Sequence, residues 1–464
     1  MTATPSIMVK VSSWWKVFKK ILVANRGEIA LRVVRAARDM GIRTVAVFSE
    51  ADRDTAHVRL ADQAFCIGPG PVSRSYLNIA NIISAAVISG ADAIHPGYGF
   101  LAENARFAEI CADYEISFIG PAPSVIAKMG DKAMARRVMA EANVPTTPGS
   151  DILDSLGAAE VAAEQIGYPV LLKAAAGGGG KGMRAVGSAE DLPLAFRTAQ
   201  AEAEASFKDG RLYLERLIEH PRHIEVQVFG DAFGRVVHLG DRDCSVQKPS
   251  HQKLIEEAPA PRLSDSLRSR LHETAVAAAR AVSYTNAGTI EFLVSEDEFY
   301  FMEMNTRIQV EHAVTEMAYG VDLVAEQIRV AAGEPLSFTE EDLRPKAHAI
   351  EVRINAEDAG RNFAPAAGAL ARVVFPGGPG VRIDSHVAAG DAVPPYYDSL
   401  IAKIIVTGAG REEAILRMQR ALAETEIEGV ETTIAICSEV LADPLFAAGA
   451  LPVEYLHRLS AIAA

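Results

Sequence analysis

Every second residue of the segment Glu303-Met304-Asn305-Thr306-Arg307-Ile308-Gln309-Val310-Glu311 is polar, and two of those polar residues are acids. Side chains at period two share one face of an extended strand. Glu303, Asn305, Arg307, Gln309 and Glu311 are therefore expected on one side, interleaved with apolar Phe301, Met302, Met304, Ile308 and Val310. A half-buried strand with such a row must line a cavity or find partners for it. Two carboxylates and an amide suit a hard divalent cation that holds nucleotide phosphates. The row thus points to phosphoryl transfer, against the plainer reading of a wet face on an antiparallel sheet.

Other segments carry compatible chemistry. Tyr168–Lys173 reads as a strand ending in lysine, followed by Ala174-Ala175-Ala176-Gly177-Gly178-Gly179-Gly180-Lys181. Bare glycine backbone can close on phosphate oxygens, and no Lys-Ser or Lys-Thr pair makes this a P-loop. Leu212–Ile218 is the next strand, whose end can form a hinge where an adenine ring lodges. His223, Glu225 and Gln227 alternate on one strand face. Gln247, Lys248, His251, Gln252 and Lys253 crowd a later turn, a mixture suited to a small anion such as bicarbonate or phosphate. Glu291 precedes Glu303 across the turn Ser295–Glu298, so a hairpin can bring both acids to one metal. Glu351, Arg353, Asn355 and Glu357 also alternate, which makes Arg353 a candidate clamp for an anionic intermediate. Cys244 has no base beside it in the sequence and reads as a packed thiol.

These residues need elements to position them. Lys20–Asn25, a helical pattern from Ile29 to Ala37, and Thr44–Phe48 make a βαβ unit. Further units end at Ala93–His95, before the turn Pro96-Gly97-Tyr98-Gly99, and at Ser117–Gly120. The first ~120 residues therefore read as a doubly wound, mostly parallel sheet. A helical stretch Pro123–Asn143 follows. Residues 150 to 217 read as helix, strand, glycine loop, helix, strand. From 218 on, alternating strands predict a large antiparallel sheet flanked by helices.

The chain has 464 residues and a formal net charge of −14. That length fits several domains, and the acidic balance argues against nucleic acid as a partner. The four cysteines form no CxxC pair and fit a reducing cytoplasm. No apolar run of the ~18 residues a membrane span needs is present. Trp14 and Trp15, among lysines, read as a short extension leading into the first strand rather than as a membrane-surface or targeting helix.

Taken together, ILVANRGEIALRV, HPGYGFLAEN, MGDK, YPVLLKAAAGGGGKGMR, PRHIEVQV, RDCSVQ, HQKLIEEAPAP, NAGTIEFL, EMNTRIQVEH, RINAED and PPYYDSLIAK closely resemble biotin carboxylase, over about Phe18 to Leu459. The resemblance implies a multidomain α/β and α+β fold. Its parts are an N-terminal extension (1–16), a doubly wound pre-ATP-grasp domain (17–122), an ATP-grasp domain (123–333, with a mobile lid at about 147–217) and a C-terminal biotin carboxylase domain (334–464). It implies that ATP phosphorylates bicarbonate to carboxyphosphate, which supplies CO₂ to N1′ of biotin. By position, Lys132, Lys173, Gly178, Gly179, Gly180, Glu215, Arg216, Ile218, His223, Gln247 and His251 resemble ATP contacts, as do Glu291 and Glu303. Glu291, Glu303 and Asn305 resemble the Mg²⁺ or Mn²⁺ ligands. Lys253, Arg307, Gln309 and Val310 resemble bicarbonate contacts, Glu311 the base, Arg353 the group stabilising the biotin enolate, and Tyr98 a residue beside biotin.

No Ala-Met-Lys-Met attachment motif is present, so biotin is expected on a separate carrier protein, with a carboxyltransferase subunit completing an acyl-CoA carboxylase of the kind used in fatty acid biosynthesis. A homodimer is expected too, since Arg35 and Asp39 resemble the family's interface positions. Lys248-Pro249-Ser250 departs from the usual pair of arginines by one extra residue, which leaves the path to Lys253 open. Ala313 replaces a common Pro, and Ala364–Gly368 replaces a PSPG-like segment. The alternatives are another ATP-grasp carboxylate–amine ligase and a regulatory homologue that binds ATP without turnover.

Overall fold

Short apolar runs form the inner strands of the first sheet because those strands are covered on both faces. In the computed structural model, which describes residues 18–175, 183–339 and 341–456, β1 (Lys20–Val23), β2 (Arg43–Ser49), β3 (Gln63–Gly68), β4 (Ala93–His95) and β5 (Ser117–Phe118) are all parallel, in the order β3-β2-β1-β4-β5. Ile21, Leu22 and Val23 are wholly buried, and the helix Gly27–Asp39 packs Ile29, Val33 and Val34 inward. The doubly wound expectation holds. The edge strand β3 escaped the sequence reading because exposed positions break its apolar pattern. After β4 the chain turns tightly at Gly97 (φ +63), where a Cβ would stand 2.9 Å from Asn25 Nδ2. Asn25 donates to the carbonyls of Pro96 (2.7 Å) and Tyr98 (2.8 Å), which fixes that turn.

The stretch Pro123–Asn143 is two helices, Pro123–Gly130 and Lys132–Glu141, rather than one. Asp131 breaks it by accepting the Met134 N–H as an N-cap. A small antiparallel sheet follows, with β6 (Val170–Ala174) between β7 (Arg184–Val186) and β8 (Leu212–Arg216). The glycines Gly178, Gly179 and Gly180, like Trp14 and Trp15, lie outside the described residues.

The main sheet has eight strands. Its order is β13 (Glu298–Asn305), β12 (Asn286–Ser295), β9 (Arg222–Gly230), β10 (Val236–Gln247), β11 (Lys253–Ala258), β14 (His348–Asn355), Leu400–Gly408 and Val381–Ser385, all antiparallel. One face of β9 and β12 packs Ile224, Val226, Ile290 and Phe292 against the helix Asp265–Ala281. The opposite face buries His223, Glu225, Gln227 and Glu291, and there the chemistry lies. The sheet runs without a break from β11 into β14, so the C-terminal segment shares one sheet with the middle of the chain.

The single polar strand face expected from Glu303 to Glu311 is corrected here. β13 has a register shift between Phe301 and Glu303 and ends at Asn305. Thr306–Val310 is irregular, and Glu311 is the N-cap residue of the helix His312–Tyr319. The chain leaves the ladder because the Thr306 N–H is taken by the Glu103 carboxylate (3.0 Å) instead of a strand partner.

Candidate active site between two cavities

The strands place their polar residues by register. Glu291 lies opposite Glu225 on β9 and opposite Glu303 on β13, so the hairpin brings the two expected metal ligands together. Asn305 Nδ2 donates to Glu291 at 2.8 Å. The set Glu291, Glu303 and Asn305 offers oxygen donors on one surface, which fits Mg²⁺ or Mn²⁺. Glu303 is 40% exposed and pairs with Lys132 at 3.3 Å, which leaves it accessible to a cation.

Lys253 is the hub. Its Nζ reaches Glu225 (2.7 Å), Glu291 (3.0 Å) and Glu311 (2.6 Å). Arg353 bridges Glu256 through Nε (2.6 Å) and Glu311 through Nη2 (2.9 Å). Burial alone raises the Glu311 pKa, but Lys253, Arg353 and Arg242 outweigh it and hold the carboxylate well below its usual range. Glu291 is likewise lowered against its burial, by Lys253 and His223. The same carboxylates raise Lys253 well above a normal lysine despite its burial.

Two cavities meet at this hub. The larger, about 640 Å³, is lined by Lys132, Lys173, Glu215, Arg216, Ile218, His223, Gln247, His251, Glu291, Glu303 and Asn305 among others. The smaller, about 300 Å³, is lined by Tyr98, Phe100, Asn355, His386 and Asp398 among others. Gln252, Lys253, Arg307, Val310 and Arg353 line both. In the larger, Lys173 and Arg136 converge on the buried Glu215 carboxylate. Burial, with Lys132 and Arg136 nearby, draws the Lys173 ammonium down to about 8, although the Glu215 contact favours its charged form. In the smaller, Tyr98 Oη donates to Glu28, which also meets Lys403.

The extra residue at Lys248-Pro249-Ser250 is absorbed in a tight turn. The Lys248 N–H donates to Gln252 O and the His251 N–H to Lys248 O, both at 2.8 Å, with His251 at φ +62. Lys248 turns away from the larger cavity onto Glu357 (2.6 and 2.8 Å), and Lys253 still reaches the hub.

Sequence reasoning missed four residues. Arg242, wholly buried, donates to Glu225, Gln227, Gln309, Thr289 and Thr315, and so ties the floor of the site together. Glu256 sits behind Arg353, Arg136 behind Glu215, and Glu103 behind Arg307. Of these, Arg242 and Glu256 carried a signal, as charged residues inside otherwise buried strands. The other two become visible only when distant segments meet. Cys244 is buried, and burial together with nearby Glu225 raises its thiol well above the usual range, as a packed cysteine requires.

Residues 17–126 match the family described as "Biotin carboxylase, N-terminal domain", residues 131–339 "Carbamoyl-phosphate synthase L chain, ATP binding domain", and residues 351–458 "Biotin carboxylase C-terminal domain". A biotin carboxylase of Nostoc sp. is 54% identical over 96% of this chain and 99% of its own. One pyruvate carboxylase subunit, from Methanothermobacter thermautotrophicus, is 52% identical over 95% and 90%. Among solved structures, the Campylobacter jejuni biotin carboxylase–beta-gamma-ATP complex superposes with a TM-score of 0.92 at 49% identity, covering 96% of this chain and 99% of that one. The biotin carboxylase domain dimer of Hydrogenobacter thermophilus 2-oxoglutarate carboxylase, with MgADP and bicarbonate, gives 0.91 at 49% identity, covering 96% and 98%. With all three segments matched and relatives above half identical along nearly the whole length, this chain belongs to the biotin carboxylase family.

Proposed function

We propose that this protein is an ATP-dependent biotin carboxylase that activates bicarbonate as carboxyphosphate and carboxylates biotin at N1′. The observation that carries the reading is the meeting of two cavities on Lys253, Arg307, Val310 and Arg353. One cavity has the size and lysines for a nucleotide. The other is a smaller chamber beside Tyr98. A single small anion at their junction can face both.

Glu291, Glu303 and Asn305 would hold Mg²⁺, which when bound offsets phosphate charge during transfer. Lys132 and Lys173 are placed for phosphates, and the backbone around Glu215, Arg216 and Ile218 for the adenine end. Lys253 and Arg307 orient bicarbonate, and Glu311 accepts its proton as its oxygen attacks the γ-phosphorus and ADP departs. Glu311 is a weak base while Lys253 and Arg353 both lie on it. An anion that draws those cations away returns its pKa towards the usual range and makes it a better acceptor. Carboxyphosphate then breaks the C–O bond to its bridging oxygen and gives CO₂ and phosphate. The phosphate takes the N1′ proton, and Arg353, which faces both cavities, meets the oxyanion that develops on the biotin ureido group as N1′ bonds to CO₂.

The test is ADP release with Mg²⁺ and bicarbonate, with and without free biotin. Biotin is expected to stimulate the wild type, and Glu311→Ala to lower that stimulated rate by ~100-fold or more. ATP turnover indifferent to both bicarbonate and biotin would sink the reading.

Biotin arrives on a separate carrier protein, and a carboxyltransferase subunit takes the carboxyl group onward. The relatives' names span biotin carboxylases and a pyruvate carboxylase subunit. A homodimer through the exposed outer face of the helix Gly27–Asp39, with Arg35 and Asp39, completes the proposal. No helix among the described residues is long and apolar enough to cross a membrane.

A further inference from the structure

The loop Thr306–Glu311 carries Arg307, Gln309, Val310 and Glu311, yet it belongs to no strand or helix until Glu311. Something other than a backbone ladder must hold it. Its far end is fixed by Gln309, bonded to Glu291 (2.8 Å) and Arg242 (2.6 Å), and by the wholly buried Ile308. Its near end is held by Glu103, 203 residues earlier in the chain. One carboxylate oxygen accepts from the Thr306 N–H (3.0 Å) and lies 3.4 Å from the Thr306 hydroxyl, while the other accepts from Arg307 Nε (2.8 Å).

A guanidinium has five N–H donors in a rigid plane. In Arg307, Nε goes to Glu103, one Nη1 hydrogen to Ile308 O (3.2 Å) and one Nη2 hydrogen to Asn305 Oδ1 (3.0 Å). Among the described residues two donors remain without a partner, and Arg307 lines both cavities where they meet. Fixing the Nε edge fixes the plane, and so the direction in which the remaining donors point. Glu103 also ends the turn that carries Tyr98 into the smaller cavity, so one short turn serves both chambers.

We propose that Glu103 is a positioning residue for bicarbonate: it acts through Arg307 and pins the loop that holds the anion. The inference rests on the biotin carboxylase reading of the site. At 39% exposure the Glu103 side chain adds little to stability as an ion pair, so its effect should fall on geometry.

The experiment compares wild type, Glu103→Ala, Glu103→Gln, Glu103→Asp, Arg307→Ala and the double variant Glu103→Ala/Arg307→Ala in bicarbonate-dependent ADP release, with melting temperature measured in parallel. Glu103→Ala is expected to raise the KM for bicarbonate by ~10- to 100-fold, since small misplacements of orienting groups cost that much. The KM for ATP should move by less than about twofold. Glu103→Gln keeps an acceptor for Thr306 and should fall between, and Glu103→Asp should recover part of the loss. In the Arg307→Ala background, Glu103→Ala should add almost nothing, because the residue it orients is gone. Equal rises in both KM values, a melting-temperature drop without a bicarbonate effect, or full additivity in the double variant would overturn the inference. If wild type shows no bicarbonate-dependent turnover, the reading of the whole site fails first. If it does and Glu103→Ala matches it, only this inference fails.

Discussion

Arg353 stands among three buried carboxylates, and their arrangement sets what each can carry. Glu256 and Glu311 both accept from the guanidinium. Glu351, directly across the strand pair from Glu256, is wholly buried, and neither of its carboxylate oxygens is hydrogen-bonded among the described residues. Burial raises Glu351 well above the usual carboxylate range, with Glu256 and Glu311 adding to the rise and Lys403 and Arg353 opposing it. Burial also raises Glu256, to about 6. A carboxyl raised on folding stabilises the fold while protonated. That contribution is full below the unfolded value near ~4.3 and is lost as pH rises through the folded value. Glutamine mimics the neutral acid and cannot ionise. The melting temperature of Glu351→Gln should therefore stay close to wild type near pH 5 and rise above it progressively towards pH 9. A difference that is flat or negative across that range would mean that Glu351 is ionised in the folded protein.

The turn Gln247–Lys253 shows how an element absorbs a sequence irregularity. Lys248 and Glu357 form an ion pair with side chains only 2% and 5% exposed, and Ser399 Oγ donates to the same carboxylate. Removing one partner of such a pair strands a buried charge and costs about 3–5 kcal/mol, whereas replacing both with apolar groups is often neutral. Lys248→Met is expected to lose that much in denaturant unfolding, and Lys248→Met with Glu357→Leu to recover most of it. Bicarbonate turnover of the folded fraction should change little, because Lys248 points away from the larger cavity. This departure looked in the sequence like a threat to the anion site, and only the folded turn shows where the side chain goes. The hairpin pairing of Glu291 with Glu303 was legible, because strand alternation and a short turn determine it. The end of β13 was not, because alternation continues to Glu311 while the partner that stops the strand, Glu103, sits in another sheet's turn. β3 was lost for a similar reason, since its pattern is that of a solvent-exposed edge. Local periodicity shows which face a residue takes and is silent on long-range caps.

At the scale of the whole molecule, the larger cavity is walled by the three-stranded sheet on one side and the eight-stranded sheet on the other. Lys173 and Glu215 come from the first, and Gln247, Lys253, Glu291 and Glu303 from the second. A ligand that touches both walls binds the assembled arrangement and not either sheet opened away from the other, so it must stabilise their association by mass action. At about 100 times its dissociation constant, MgATP should add ~2.7 kcal/mol. The gain should appear as slower proteolysis and stronger amide protection in both sheets, because local opening of one wall requires release of the ligand. Lys173→Ala removes, from one wall only, a charge proposed to face the phosphates. If the nucleotide bridges the walls, this substitution should reduce protection in β11 and β12 as well as in β6 and β8. Protection lost only in β6 and β8, with the large sheet still responding fully to MgATP, would place the nucleotide on the eight-stranded wall alone and remove the structural reason for the small sheet to close over it.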